Sequence, residues 1–290
     1  MTSEEEIKQF ALQRGAELVG IASVTDINEF TPAGHRPDDF LTGAKSVIVM
    51  AARSTTRGGW RSTDYRLPVA NLDFFRIRGG IVLALAKYIE SQYGYYAVAD
   101  TPPPTGFNAS FSLKLCAEMA GLGTRTLAGG VLMNRELGVF NLAAVITTMP
   151  LKADSPTQDM VCPHPSCVKR WQKERTTPCL DACPECLSGK LEDGRIKWMR
   201  YDRRICSTRA QTLSPVSYQR LLLEIVNEPD PGRRKSTLLG SFARNAMQAV
   251  VAGPTVSQCG ECFRYCPVDL QARTLRGHGD EKQSVGNKSQ

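Results

Sequence analysis

Nine of the ten cysteines of this 290-residue chain fall between residues 162 and 266. Two stretches among them share one pattern: Cys179-Leu180-Asp181-Ala182-Cys183-Pro184 and Cys262-Phe263-Arg264-Tyr265-Cys266-Pro267. Both end as C-x3-C-P, the close of the run C-x2-C-x2-C-x3-C-P with which bacterial ferredoxins hold two [4Fe–4S] clusters. In that arrangement the last cysteine of each run leaves its own loop and ligates the other cluster. The proline after it stiffens the exit and removes a competing N–H. Eight thiolates are needed, and the chain supplies them. Cys162, Cys167 and Cys179 form one group, completed by Cys266; Cys206, Cys259 and Cys262 form the other, completed by Cys183. Both groups are stretched, since Cys206 lies far before Cys259, but closing a longer loop costs only about 0.6 kcal/mol per doubling of length. Cys186 competes with Cys183 for one ligand position. A zinc site from Cys183, Cys186, Cys259 and Cys262 is the competing reading, and it leaves the other five of those nine cysteines without a role.

The elements that must position these thiols are legible in outline. Ser3 and Glu6 fit a capping box, so a helix is expected over Glu4–Arg14, ended by Gly15. Residues 17–23 and 43–52 read as strands, the second apolar enough to be buried on both faces. Phe74, Ile77, Ile81, Leu85 and Tyr88 recur at helical spacing after a cap at Asn71, and Gly79-Gly80 inside that helix is assigned to close packing. A strand at 95–99, a rigid proline loop at 101–106, a helix through 112–120 ended by Gly121 and a long strand at 139–151 follow. Cys116 on that helix is expected in the core. After Pro150 apolar strand-like runs disappear. The fold class is therefore α+β, with a boundary near 152–158: residues 1–155 form one domain, 156–275 a cysteine-rich second, and 276–290 a polar, disordered tail.

Composition excludes several classes. A hydrophobic content of 42% with 22% charged residues is that of a globular protein, not of a disordered one. No apolar run approaches the ~20 residues of a membrane span, so no membrane association is expected. The acidic start MTSEEEIKQF has no basic and apolar signal pattern, which points to the cytoplasm, where clustered cysteines bind metals rather than form bridges. The net charge is +7, with basic clusters at Lys169-Arg170, Arg203-Arg204 and Arg233-Arg234-Lys235 that read as a solvated face.

The chain resembles the cobalamin-dependent iron–sulfur reductases, the family of epoxyqueuosine reductase and the corrinoid reductive dehalogenases. The resemblance is carried by GAELVGIA (15–22), GAKSVIVMA (43–51), the Ala-Gly-Leu-Gly segment opening residues 120–151, MRYDRRIC (199–206) and CGECFRYCPVD (259–269). It implies a nitroreductase-like domain followed by a ferredoxin-like domain with two [4Fe–4S] clusters, and base-off cobalamin bound between the two. It further implies cofactor contacts at Gly121, Gly123 and Asn108, and a proton donor for which Asp100, Tyr65 and Tyr95 are the candidates. Asn108 falls by counting where the family carries its acid, and an amide cannot donate as an acid does. The helical-repeat region with which many epoxyqueuosine reductases hold tRNA is not recognised here, so tRNA is not the favoured partner.

The resulting expectation is an oxidoreductase that takes electrons from a donor such as ferredoxin or flavodoxin, passes them through two clusters to a corrinoid, and reduces a small organic molecule or modified nucleoside. The alternative is an electron-transfer or activator protein that reduces a separate corrinoid protein or other redox partner. A zinc-stabilised, basic RNA-binding protein is the third reading.

Overall fold

The structure, a computed structural model, describes residues 1–53, 56, 58, 80–100, 111–202, 205, 222–240 and 265–273. Tyr65, Asn108, Cys206, Cys259 and Cys262 lie outside these residues, as do the 101–106 loop, the Asn71 cap and the 276–290 tail.

Six strands build one sheet around a long central strand. β1 (Leu18–Ser23) pairs with β2 (Ser46–Arg53), and β2 pairs with β6 (Gly138–Thr147) from Phe140 to Thr147. The other side of β6 is shared: β5 (Leu132–Asn134) pairs with its start and β3 (Ala97–Ala99) with its end, while β4 (Thr124–Arg125) edges β5. Every pairing is antiparallel. Successive side chains of a strand point to opposite faces, and β2 divides its apolar run accordingly. Val47, Val49 and Ala51 face one layer with Ala144 and Ile146; Ile48, Met50 and Ala52 face the other with Ala143 and Val145.

Helices cover both faces. α1 (Ser3–Gln13) and α4 (Val82–Tyr93) bury Ile7, Ala11, Val82, Leu85 and Ile89 in the second layer. α2 (Val24–Glu29), α3 (Pro37–Phe40) and α5 (Leu113–Met119) lie toward the first, and Cys116 of α5 is fully buried there. The capping box of α1 is formed by Thr2 and Glu5, one residue earlier than Ser3 and Glu6. At exposed Gly80, no described residue lies within 4 Å of where a Cβ would sit, and Gly79 lies outside the described residues.

After β6 the chain returns along the open edge of β1. Asp154 mimics a strand partner there: its N–H donates to the Ile21 carbonyl at 2.8 Å and its carboxylate accepts from the Ile21 N–H at 2.7 Å. Lys8 reaches the same carboxylate at 2.6 Å. One residue on, the Ser155 carbonyl passes so close to Gly121 that a Cβ there would sit 2.5 Å from it.

The cysteine-bearing part then forms α6 (Pro165–Glu174), α7 (Pro178–Ala182), a hairpin of β7 (Leu187–Glu192) and β8 (Arg195–Tyr201), α8 (Pro231–Leu239) and α9 (Pro267–Arg273). The hairpin adds two strands beyond Pro150, where the sequence shows no apolar strand-like run. Most of its outward residues are charged, with Ser188 and Trp198 also exposed, and only Leu187 and Leu191 of β7 are buried, so it presents no apolar run. Its signal was the Asp193-Gly194 pair, with both residues at positive φ (50° and 72°), the backbone of a type I′ turn. Among the described residues no helix is long and apolar enough to cross a membrane.

Candidate functional site

One cavity gathers four of the predicted ligands. Cys162, Cys167, Cys179 and Cys266 all line it, together with Thr126, Leu127, Thr177 and Val268. Each thiol arrives on a different support. Cys162 sits on the returning segment. Cys167 lies in the first turn of α6, Cys179 in the first turn of α7, and Cys266 directly before α9. All three helices open with proline at the first position, where a missing N–H costs nothing and the fixed φ suits helix entry. The sequence therefore fixes where each helix starts, and with it where each thiol stands.

The floor of the cavity belongs to the sheet side. The turn between β4 and β5 carries Leu127, whose N–H points at the Cys162 sulfur at 3.4 Å. The hairpin presses that turn from outside: at Gly189 a Cβ would lie 2.5 Å from the Leu127 side chain. Leu127, Ala128, Val131, Met133, Val139, Leu191 and Val268 form a continuous apolar cluster with Cys162, Cys179 and Cys266. The α9 side is tied down by Asp269. This fully buried carboxylate accepts from the Val139 N–H of β6 at 2.6 Å.

Burial sets the electrostatics. It pushes the thiols of Cys162 and Cys266 up to about 12 and raises that of Cys167 as well. Opposing contributions come from the Leu127 N–H at Cys162, from Ser166 and the His164 backbone at Cys167, and from the N–H groups of Asp269 and Val268 at Cys266. Cys162 also feels Cys167 and Cys179, and Cys266 feels Cys162, so the four sulfurs share one field. Thr177 places its hydroxyl 3.2 Å from the Cys179 sulfur. The sulfurs surround a cavity rather than close on a point. Among the described residues no group of three or more His, Cys, Asp or Glu is arranged to hold a metal ion directly. Four soft donors in a dry apolar shell fit a cationic inorganic cluster, which would draw the protons from them.

The remaining predicted residues are distributed differently. Cys183 and Cys186 are both buried beside Leu187 and Tyr201 in a separate small cluster at the base of the hairpin. The Asp202 N–H donates to the Cys186 carbonyl at 2.8 Å. Asp100 follows β3; its N–H donates to the Ala144 carbonyl at 2.8 Å, and its charge reaches Cys116. Tyr95, just before β3, is 39% exposed. Neither lines the thiol cavity. Ala144, where Asp100 attaches, and Val139, where Asp269 attaches, are about 17 Å apart along β6 at ~3.4 Å per residue. At Gly121 and Gly123 the close approach is made by the chain itself, through Ser155 at the first and through Met133 and Phe140 at the second. Sequence reasoning missed Thr126, Leu127, Thr177 and Asp269. Only Thr177, a polar residue two positions before a predicted ligand cysteine, carried a local signal.

No family model and no curated protein matches the chain. Solved structures do, and the neighbours are epoxyqueuosine reductases and corrinoid reductive dehalogenases. A catabolic reductive dehalogenase in complex with 3-bromo-4-hydroxybenzoic acid aligns with a TM-score of 0.53 at 17% identity, over 93% of this chain and 37% of that one. A reductive dehalogenase whose structure suggests a mechanism for B12-dependent dehalogenation gives 0.51 at 16% identity, over 93% and 37%. The epoxyqueuosine reductase from Streptococcus thermophilus gives 0.48 at 18% identity, over 93% and 66%. The chain thus spans about two thirds of such a reductase and little more than a third of the dehalogenases. What these likenesses establish is the mixed α/β fold.

Proposed function

We propose that this chain is an iron–sulfur oxidoreductase of the corrinoid-dependent kind. Two [4Fe–4S] clusters carry low-potential electrons from a donor such as ferredoxin or flavodoxin to cobalamin, for the reduction of a small organic molecule or modified nucleoside. The observation that carries the reading is the meeting of Cys162, Cys167, Cys179 and Cys266 around one buried cavity, although the last lies about a hundred residues from the rest. That interleaving is what a two-cluster ferredoxin requires of its two C-x3-C-P runs.

In this reading residues 1–155 are the nitroreductase-like, cobalamin-binding unit and 156–275 the ferredoxin-like unit. The first cluster belongs to the four thiols of the cavity. The second takes Cys183 with Cys206, Cys259 and Cys262. When bound, the clusters supply one-electron transfer and the corrinoid the bond-breaking reduction. The chain's own part is positional. Leu127, Ala128 and Val268 exclude water from the sulfurs, and the Leu127 N–H and the Thr177 hydroxyl offset their negative charge. Asp100 is the proposed proton donor to the substrate, with Tyr95 and Tyr65 as the phenolic alternatives; Gly121, Gly123 and Asn108 are the proposed corrinoid contacts.

Anaerobic purification followed by iron, sulfide and cobalt analysis tests the reading. The expected result is brown protein with about eight irons and eight acid-labile sulfides per chain and affinity for cobalamin on titration. Cys266→Ser is expected to lose about half of the iron and Cys116→Ser none. A colourless protein that holds zinc and no iron overturns the assignment.

A further inference from the structure

Among the described residues, the Ser, Thr and Asp side chains at helix N-caps follow one habit, and Thr177 departs from it. Thr2, Ser23, Ser112 and Asp230 each turn their side-chain oxygen onto a backbone N–H of the helix they open. Such a bond satisfies one of the orphan donors at a helix start, and its loss typically costs about 1 kcal/mol. Thr177 stands at the N-cap of α7 with extended backbone (φ −138°, ψ 160°) and makes no side-chain cap bond. It is 1% exposed. Its hydroxyl lies instead 3.2 Å from the sulfur of Cys179.

A buried hydroxyl that forgoes the cap needs another partner, since an unmade hydrogen bond in an apolar site costs about 1–3 kcal/mol. Between a thiol and a hydroxyl either group can donate. A ligating cysteine has no proton left, so the hydroxyl must donate to it. Hydrogen bonds to ligand sulfurs and exclusion of solvent are the means by which a protein sets a cluster's potential.

We propose that Thr177 is a potential-tuning residue. It donates a hydrogen bond to the Cys179 sulfur and thereby favours the more negative, one-electron-reduced state of the cluster in the cavity. This rests on the iron–sulfur reading given above. The electron comes from the low-potential donor protein; Thr177 transfers no proton and only shares its own with the sulfur. Thr177 is 1% exposed, so valine would fill its space and leave the sulfur without that donor.

The test is a redox titration of anaerobically purified, cluster-loaded protein, followed by electron paramagnetic resonance. Thr177→Val is expected to shift the midpoint potential of one cluster downward, and Thr177→Ser to leave it near that of the unaltered protein. Thr177→Ala and Thr177→Ser form a second pair, both lacking the methyl, so their difference reads the hydroxyl alone. Loss of the cluster from Val and Ala but not from Ser supports the proposal, because only the donor distinguishes them. Equal potentials in the unaltered protein and Thr177→Val overturn it. So does a Ser variant that moves as far as Ala, or loss of the cluster from all three variants, either of which assigns Thr177 to packing. If the unaltered protein carries no iron and sulfide, the underlying reading falls with it, and that result is separate from unchanged potentials in a loaded protein.

Discussion

Cys116 shows how burial alone defines a cysteine. Its side chain is wholly enclosed between α5 and the sheet, and burial pushes its thiol up to about 12, with the nearby Asp100 charge adding to the rise. The sign of the consequence follows from linkage. A group whose folded pKa exceeds its unfolded value of 9.0 keeps its proton in the folded state while the unfolded chain ionises. Its contribution is complete below about pH 9 and is lost as pH climbs toward 12. At about 1.4 kcal/mol per unit, stability should fall by roughly 3 kcal/mol on this account by pH 11. Urea unfolding of the unaltered protein and of Cys116→Ala between pH 8 and 11 measures it. The difference between the two should shrink with rising pH, and parallel alkaline limbs would remove Cys116 from the account.

At the scale of elements, the turn from α5 into β4 lies in close contact with the returning segment. Gly121 has φ +73°, and a Cβ there would stand 2.5 Å from the Ser155 carbonyl oxygen, which is backbone and cannot swing aside. Gly121→Ala meets two penalties, about 1–2 kcal/mol for the left-handed conformation and about 1–3 kcal/mol for overpacking. A loss of roughly 2–4 kcal/mol in denaturant unfolding is expected, with faster hydrogen exchange across residues 152–157; a change below 1 kcal/mol would mean the segment relaxes freely. This same junction marks where the sequence was legible. Burial on both faces made β2 and β6 readable as apolar runs, and Ser112 with Gly121 framed α5. The β7–β8 hairpin was not readable by hydrophobicity, because its stability comes from one buried face on Leu127 and a positive-φ turn. The four cysteines that line one cavity were legible by counting, from the expectation of eight thiols in interleaved runs. Leu127 and Asp269 were not, because a backbone donor and a lone carboxylate acquire meaning only from what the fold brings against them.

For the molecule as a whole, the question is what holds the helix after Cys266 to a sheet strand 130 positions earlier. The tie is polar: the fully buried Asp269 carboxylate accepts from the Val139 N–H at 2.6 Å, where β6 begins. It also raises the thiol of Cys266 by its charge, while its own N–H lowers it. One side chain therefore joins α9, the cavity and the central strand. Removing the acceptor leaves a buried N–H without a partner, a cost of about 1–3 kcal/mol. Replacing the carboxylate by an amide keeps an acceptor oxygen and deletes the charge. Asp269→Ala is accordingly expected to lower unfolding stability by about 1–3 kcal/mol and to speed exchange of the Val139 amide. Asp269→Asn should keep most of the stability, because the link is a hydrogen bond and not a charge requirement. The comparison of the two variants by urea unfolding and amide exchange decides between these accounts. Equal losses in Ala and Asn would assign the link to charge, and a protected Val139 amide in Asp269→Ala would show that β6 does not depend on α9 for its first hydrogen bond.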